Sequence, residues 1–116
     1  MRSRVPVDGD TRVPPSHLTV VVEDDGGRLL VRVAGELDIA AAERLATNLK
    51  ELIEASDAIS LDLARVTFID LTGLRVLLVA RHDARSRGKR LHVAVPGDAC
   101  ARLIALTETA PLLQAV

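Results

Sequence analysis

Hydrophobic and polar positions alternate with period two along the first patterned stretch of the chain. Leu18, Val20 and Val22 are spaced by Thr19 and Val21, the turn-forming run Asp24-Asp25-Gly26-Gly27 follows, and alternation resumes over residues 29–34. This is the signature of a β-hairpin whose glycines supply the backbone angles of the turn. After Gly35 the period changes to about 3.6, with Ala41, Leu45, Leu49, Leu52 and Ile53 on one stripe. Glu43, Arg44, Lys50, Glu51 and Glu54 lie off that stripe, so an amphipathic helix is expected, starting near Asp38 as its N-cap.

The run Ala58-Ile59-Ser60-Leu61-Asp62-Leu63 reads as a central strand, and a second helix is expected from about Thr72 to the stop signal at Gly88. Leu91, Val93 and Val95 form another strand closed by Pro96-Gly97; Asp98 is the expected cap of a third helix running through Leu106, which Pro111 would break. The order β-β-α-β-α-β-α predicts an α/β domain with a mixed sheet of about four to five strands, the later ones parallel and joined by helices packed on the sheet. Residues 1–16, with Pro6, Pro14 and Pro15 and no periodicity, read as a flexible tail ahead of one domain over 17–116.

Composition narrows the functional classes. The chain has 116 residues, 48% apolar and 27% charged, with Phe68 as its one aromatic residue, so its core must be aliphatic. A net charge of −1 and the lack of stacking rings argue against nucleic-acid binding. Residues 1–16 lack the apolar run of a signal peptide, and the longest apolar candidate, residues 74–80, is short and contains Arg75; a cytoplasmic protein without a membrane segment is expected. Cys100 stands alone, which excludes an intrachain disulfide, and His17, His82 and His92 are scattered in no metal-binding spacing. No glycine-rich phosphate loop occurs, so neither cofactor nor metal is expected and the chain does not read as an enzyme.

The residues with the most chemistry open the second helix. Thr72 fits a simple N-cap, and it also fits a regulated hydroxyl. Asp70 and Asp38 fit caps at their strand-to-helix corners as well as contact residues, and Gly35 and Gly73 fit close approach or unusual backbone angles. On the second helix Val76, Leu77, Ala80 and Ala84 make one apolar face, while Leu74 and Leu78 fall in line with Arg81 and Arg85. Either that helix is sandwiched with both sets buried, or Leu74, Leu78 and the arginines form an exposed binding ridge.

Two blocks, Gly35-Glu36-Leu37-Asp38-Ile39 and Val66-Thr67-Phe68-Ile69-Asp70-Leu71-Thr72-Gly73-Leu74, stand in matching strand-to-helix contexts. Together they resemble the STAS domain, and in particular the anti-sigma factor antagonists of that family. The resemblance covers roughly residues 18–108 at the level of pattern. It implies a non-enzymatic switch that binds an anti-sigma factor kinase when unphosphorylated and so frees a sigma factor for transcription. In such antagonists the second block is Asp-Ser-Ser-Gly, and the hydroxyl directly before the glycine is phosphorylated by the kinase. By position, Thr72 takes the phosphoacceptor place, Asp70 and Gly73 match, and Leu71 replaces the first serine. A final departure is the absence of a glycine in Leu106-Thr107-Glu108-Thr109-Ala110 after the third helix.

The resemblance therefore implies partner contacts at Asp38, Asp70, Leu71, Thr72, Gly73, Leu74, Arg75, Leu78 and Arg81, with a phosphatase to reset phospho-Thr72, and no direct contact with nucleic acid or membrane. A monomer is the default state. Two alternatives remain open from the sequence: a constitutive STAS scaffold whose switch has been lost, and a small-ligand-sensing module using a pocket between Asp38 and Thr72.

Overall fold

A computed structural model describes the backbone of Ser3–Pro6 and, in full, residues 18–114. Strands β1 (Ser3–Pro6), β2 (Thr19–Asp25) and β3 (Arg28–Leu37) are followed by helix α1 (Ile39–Ala55), strand β4 (Ala58–Ile69), helix α2 (Leu71–Ser86), strand β5 (Arg90–Val95), helix α3 (Gly97–Thr107) and a 3-10 turn at Ala110–Leu113. The five strands lie in sequential order; β1, β2 and β3 are antiparallel, and β3, β4 and β5 are parallel. The α/β architecture expected from the alternating periods is the one observed, with helices joining the parallel strands.

The added element is β1, which pairs Ser3–Pro6 with β2 in the stretch the sequence pattern leaves as a flexible tail. Its strand is too short to show alternation, and its bonding is between backbones, which leave no trace in side-chain pattern. The rest of that expected tail, residues 1–2 and 7–16, lies outside the described residues.

Because the strands follow one another across the sheet, the right-handed crossovers β3-α1-β4 and β4-α2-β5 place both helices on one face, where they pack together. The inward positions are Val20 and Val22 of β2, Leu29, Val31 and Val33 of β3, Ile59, Leu61 and Leu63 of β4, and Leu91 and Val93 of β5, all buried. Leu45, Leu49 and Ile53 of α1 and Leu74, Leu77 and Ala84 of α2 close the core from the other side. The core is aliphatic, as the composition requires, and Phe68 stands about half exposed outside it. On the opposite face Arg32 pairs with the buried Glu23 across the β2–β3 ladder and lies 3.8 Å from Asp62 of β4.

Both ends of α3 differ from the sequence pattern. Helix α3 starts at Gly97 with Pro96 at its N-cap and no side-chain cap bond, so Asp98 sits in the first turn instead of capping it. There a carboxylate still meets the positive end of the helix dipole. Gly97 is fixed by contact, since a Cβ at this position would stand 2.6 Å from the Leu63 carbonyl oxygen. Cys100 follows and is fully buried; burial pushes its thiol up to about 11, which makes it a core residue with little thiolate.

The far end of α3 explains the missing glycine. Glu108 is the C-cap and adopts φ 56°, ψ 43°, the left-handed conformation that glycine ordinarily fills. An L-residue held there costs about 1–2 kcal/mol. Glu108→Gly is therefore expected to stabilise the domain by about 1 kcal/mol, read as a Tm rise of a few degrees in thermal unfolding. An unchanged or lower Tm would show that the Glu108 side chain offsets the strain.

Candidate functional site

The two sequence blocks meet because of strand register. Leu37 of β3 and Ile69 of β4 are the last paired residues of adjacent parallel strands, so Asp38 and Asp70 leave the sheet side by side, about 5 Å apart in strand spacing. Each then caps the helix that follows: the Asp38 carboxylate accepts from the Ala41 N–H at 3.0 Å, and the Asp70 carboxylate accepts from the Gly73 N–H at 2.9 Å. Both capping roles satisfy one of the free amides in a first turn.

Asp70, and not Thr72, is the N-cap of α2. The helix begins one residue earlier than the Thr72 start that the sequence suggests, because the strand runs to Ile69 and leaves Asp70 as the half-in residue. Thr72 becomes the second helical residue, exposed, with its hydroxyl unbonded among the described residues. The N–H groups of Leu71 and Thr72 in the same turn stay outside the helical ladder.

Gly73 sets the distance between the two corners. A Cβ here would lie 2.7 Å from both Leu37 Cγ and the Leu37 carbonyl oxygen, and 3.2 Å from Ile69 Cγ1. The start of α2 thus rests directly on the end of β3. Gly35, the other glycine of the blocks, has φ 107°, a conformation that disfavours a side chain.

The strand-to-helix corners carry exposed apolar residues. Ile39 and Leu71, the first residues of the two helices, are 69% and 64% exposed, and Phe68 is 48% exposed just below the corner. Val79, 58% exposed two turns down α2, continues this surface beside Arg75. Thr72, Arg75 and Val79 also line a cavity of ≈ 620 Å³ between α1 and α2, whose α1 side is formed by Ala46, Lys50 and Ile53. Asp38 does not line it, so this cavity is not the pocket between Asp38 and Thr72 that a ligand-sensing module would use.

The expected contact residues divide accordingly. Asp38, Asp70, Leu71, Thr72 and Arg75 gather at the paired corners, and Gly73 is buried beneath them. Leu74 is 3% exposed and belongs to the core, which removes it from any binding ridge. Leu78 is half-buried against the core and Arg81 half-buried, with its Nε unbonded among the described residues. These two stand about 9 and 14 Å along the helix from Thr72. The physical reason is that α2 is flanked by α1 on one side and approached by β5 and the 3-10 turn on the other, so both its apolar faces find cover. The sandwiched alternative describes this helix.

Ile39, Phe68 and Val79 were not singled out by sequence reasoning. A signal existed for two of them: Ile39 directly follows the Asp38 cap, and Leu71, Arg75 and Val79 repeat every fourth position. Among the described residues no cluster of His, Cys, Asp and Glu could hold a metal ion, and no helix is long and apolar enough to cross a membrane.

Comparison with known proteins follows the same outline. The STAS domain family model matches residues 19–114. The structure is similar to that of an anti-sigma factor antagonist from Mycobacterium paratuberculosis, with a TM-score of 0.74 and 28% identity over 84% of this chain and 83% of that one. It also shares its fold with the unphosphorylated anti-sigma factor antagonist SpoIIAA, at TM-score 0.68 and 19% identity over 80% of this chain and 84% of that one. The phosphorylated form of the Bacillus cell fate determinant SpoIIAA aligns at TM-score 0.65 and 20% identity, over 80% and 86% of the two chains.

Replacing Gly73 tests the geometry. Gly73→Ala must displace the Leu37 backbone or the first turn of α2, so a loss of about 1–3 kcal/mol is expected, measured by denaturant unfolding. A neutral or stabilising substitution would mean that the corners do not depend on this contact.

Proposed function

Because the chain belongs to the STAS domain family, we propose that it is an anti-sigma factor antagonist whose grip on an anti-sigma factor kinase is controlled by phosphorylation of Thr72. The observation that carries this reading is the exposed Thr72, two residues beyond the Asp70 cap and next to the exposed Leu71 at the start of α2. Exposed apolar residues at a corner are what a partner protein covers, and a hydroxyl beside them is where a charge does most harm to binding.

In the transfer step the Thr72 oxygen attacks the γ-phosphorus of kinase-bound ATP, its proton passes to a base on the kinase, and ADP leaves. This protein is the substrate of that step and not its catalyst. The phosphate adds about −1.5 to −2 charges at a helix N-terminus, where the amides of Leu71 and Thr72 and the guanidinium of Arg75 one turn on can receive it. The fold therefore tolerates the modification. The interface does not, since two to three charge-assisted bonds to water and Arg75 must be stripped and two carboxylates, Asp38 and Asp70, already stand beside the site. A loss of about 2–3 kcal/mol in binding, roughly 30- to 150-fold, releases the partner until a phosphatase restores the hydroxyl. The protein works in this scheme as a cytoplasmic monomer, without cofactor, nucleic acid or membrane.

One observation favours a second reading. Leu71 places an exposed apolar side chain where the antagonist pattern has serine, which suits a constitutive STAS scaffold that binds without being switched. Incubation with anti-sigma factor kinases and ATP from the same source, followed by mass spectrometry and binding measurements, separates the two. Phosphate on Thr72 with at least 30-fold weaker kinase binding is expected. Tight binding with Thr72 left unmodified would sink the switch and leave the scaffold.

A further inference from the structure

The opposite end of the sheet carries an arrangement that the switch does not use. Arg28, Ala58 and Arg90 are register partners across β3, β4 and β5, and Ser60 and His92 are partners one step along. These positions share the face away from the helices, roughly 30 Å from Thr72 along the strands. Arg28 and Arg90 thus flank Ala58 at two strand spacings, about 10 Å, with only a methyl group between them. The hollow above Ala58 is a cavity of ≈ 250 Å³ lined by Arg28, Ser60, Arg90, His92 and Ala94.

Among the described residues no carboxylate lines this cavity. The nearest in register are Asp25, across the hairpin from Arg28, and Asp62, two residues beyond Ser60 and within 3.8 Å of Arg32. Asp57 contributes only its backbone carbonyl, which accepts from the Arg90 N–H at 3.0 Å. The Arg28 and Arg90 side chains have no ion-pair partner among the described residues. Burial, and after it the Arg28 cation, hold the His92 imidazole below its ordinary 6.5, so the cluster repels its own further protonation. Like charges gathered around a hollow lower stability unless a counter-charge fills it.

We propose that Arg28, Ser60, Arg90 and His92 form a binding site for a compact phosphate-type anion on the open face of the sheet. Two arginines flanking a small floor suit the tetrahedral oxygens of phosphate or pyrophosphate, with the Ser60 hydroxyl and the imidazole as further donors. The cavity falls below the range that holds a drug-sized ligand, which suits a compact anion. The site is independent of Thr72, and its test does not depend on any kinase.

Inorganic pyrophosphate, titrated calorimetrically at low ionic strength, is the probe. Saturable one-to-one binding is expected, weakened about tenfold or more by Arg28→Gln or by Arg90→Gln and unchanged by Arg102→Gln, an exposed arginine on α3. In parallel, the NMR titration midpoint of His92 should rise when pyrophosphate is present, because the anion reverses the effect of Arg28. No saturation up to about 10 mM, or equal weakening by Arg102→Gln, would overturn the site as diffuse charge attraction. Binding that leaves the His92 midpoint unmoved would overturn it at this location.

Discussion

The contact between Gly73 and Leu37 is the constraint on which the remainder of the functional surface depends. With a Cβ excluded by 2.7 Å approaches to the Leu37 side chain and carbonyl, the first turn of α2 lies flat against the end of β3. That approach, together with the parallel register of Leu37 and Ile69, brings two N-caps and two helix starts into one corner. Everything proposed for the switch follows from this placement: Asp38 and Asp70 are engaged as caps, Ile39 and Leu71 are exposed, and Thr72 is exposed with its hydroxyl unbonded among the described residues. A helix start offers uncommitted amides and a favourable dipole, so negative charge can be added without loss of structure. Stability and signalling are then separated at one residue, because what the fold accepts the partner cannot.

Much of this was legible in the sequence, for stated physical reasons. The change of period at Gly35, the apolar stripe from Ala41 to Ile53 and the glycine at 88 define elements whose ends lie within a residue or two of those observed. Asp38 was readable as a cap because a short polar side chain ahead of an apolar helical stripe has few other uses. The role of Thr72 was not readable to the same accuracy. Asp70 and Thr72 are both good capping residues two positions apart, and only the length of β4 decides between them. The shared apolar surface was hidden because bringing Ile39 and Leu71 to one corner depends on the pairing of β3 with β4, which no single helix or strand encodes. Leu74 and Leu78 misled for a related reason: one helical period cannot show that α2 is covered from two sides.

The ends of the chain show what side-chain pattern leaves out. Strand β1 is held by backbone bonds over four residues, and Glu108 takes a glycine conformation without being glycine. In both cases tertiary context overrides local preference, at a cost of the order of a kilocalorie that a packed core absorbs. The open face of the sheet is a third case. Its charged residues look like ordinary surface in sequence, yet register sorts them into an ion-paired row around Arg32 and a basic row around Ala58 with no ion pair among the described residues.

The central claim is that negative charge at Thr72 changes a surface and not a fold. The most direct measurement is a two-dimensional amide NMR spectrum of Thr72→Glu beside the wild type, with thermal unfolding of both. Shift changes confined to the corner residues around 36–41 and 68–79, with Tm equal or slightly higher through the helix dipole, are the predicted result. Shifts spreading into the strands at Val31, Leu61 and Val93, or a marked fall in Tm, would show that the charge acts by disturbing the fold and would contradict the account.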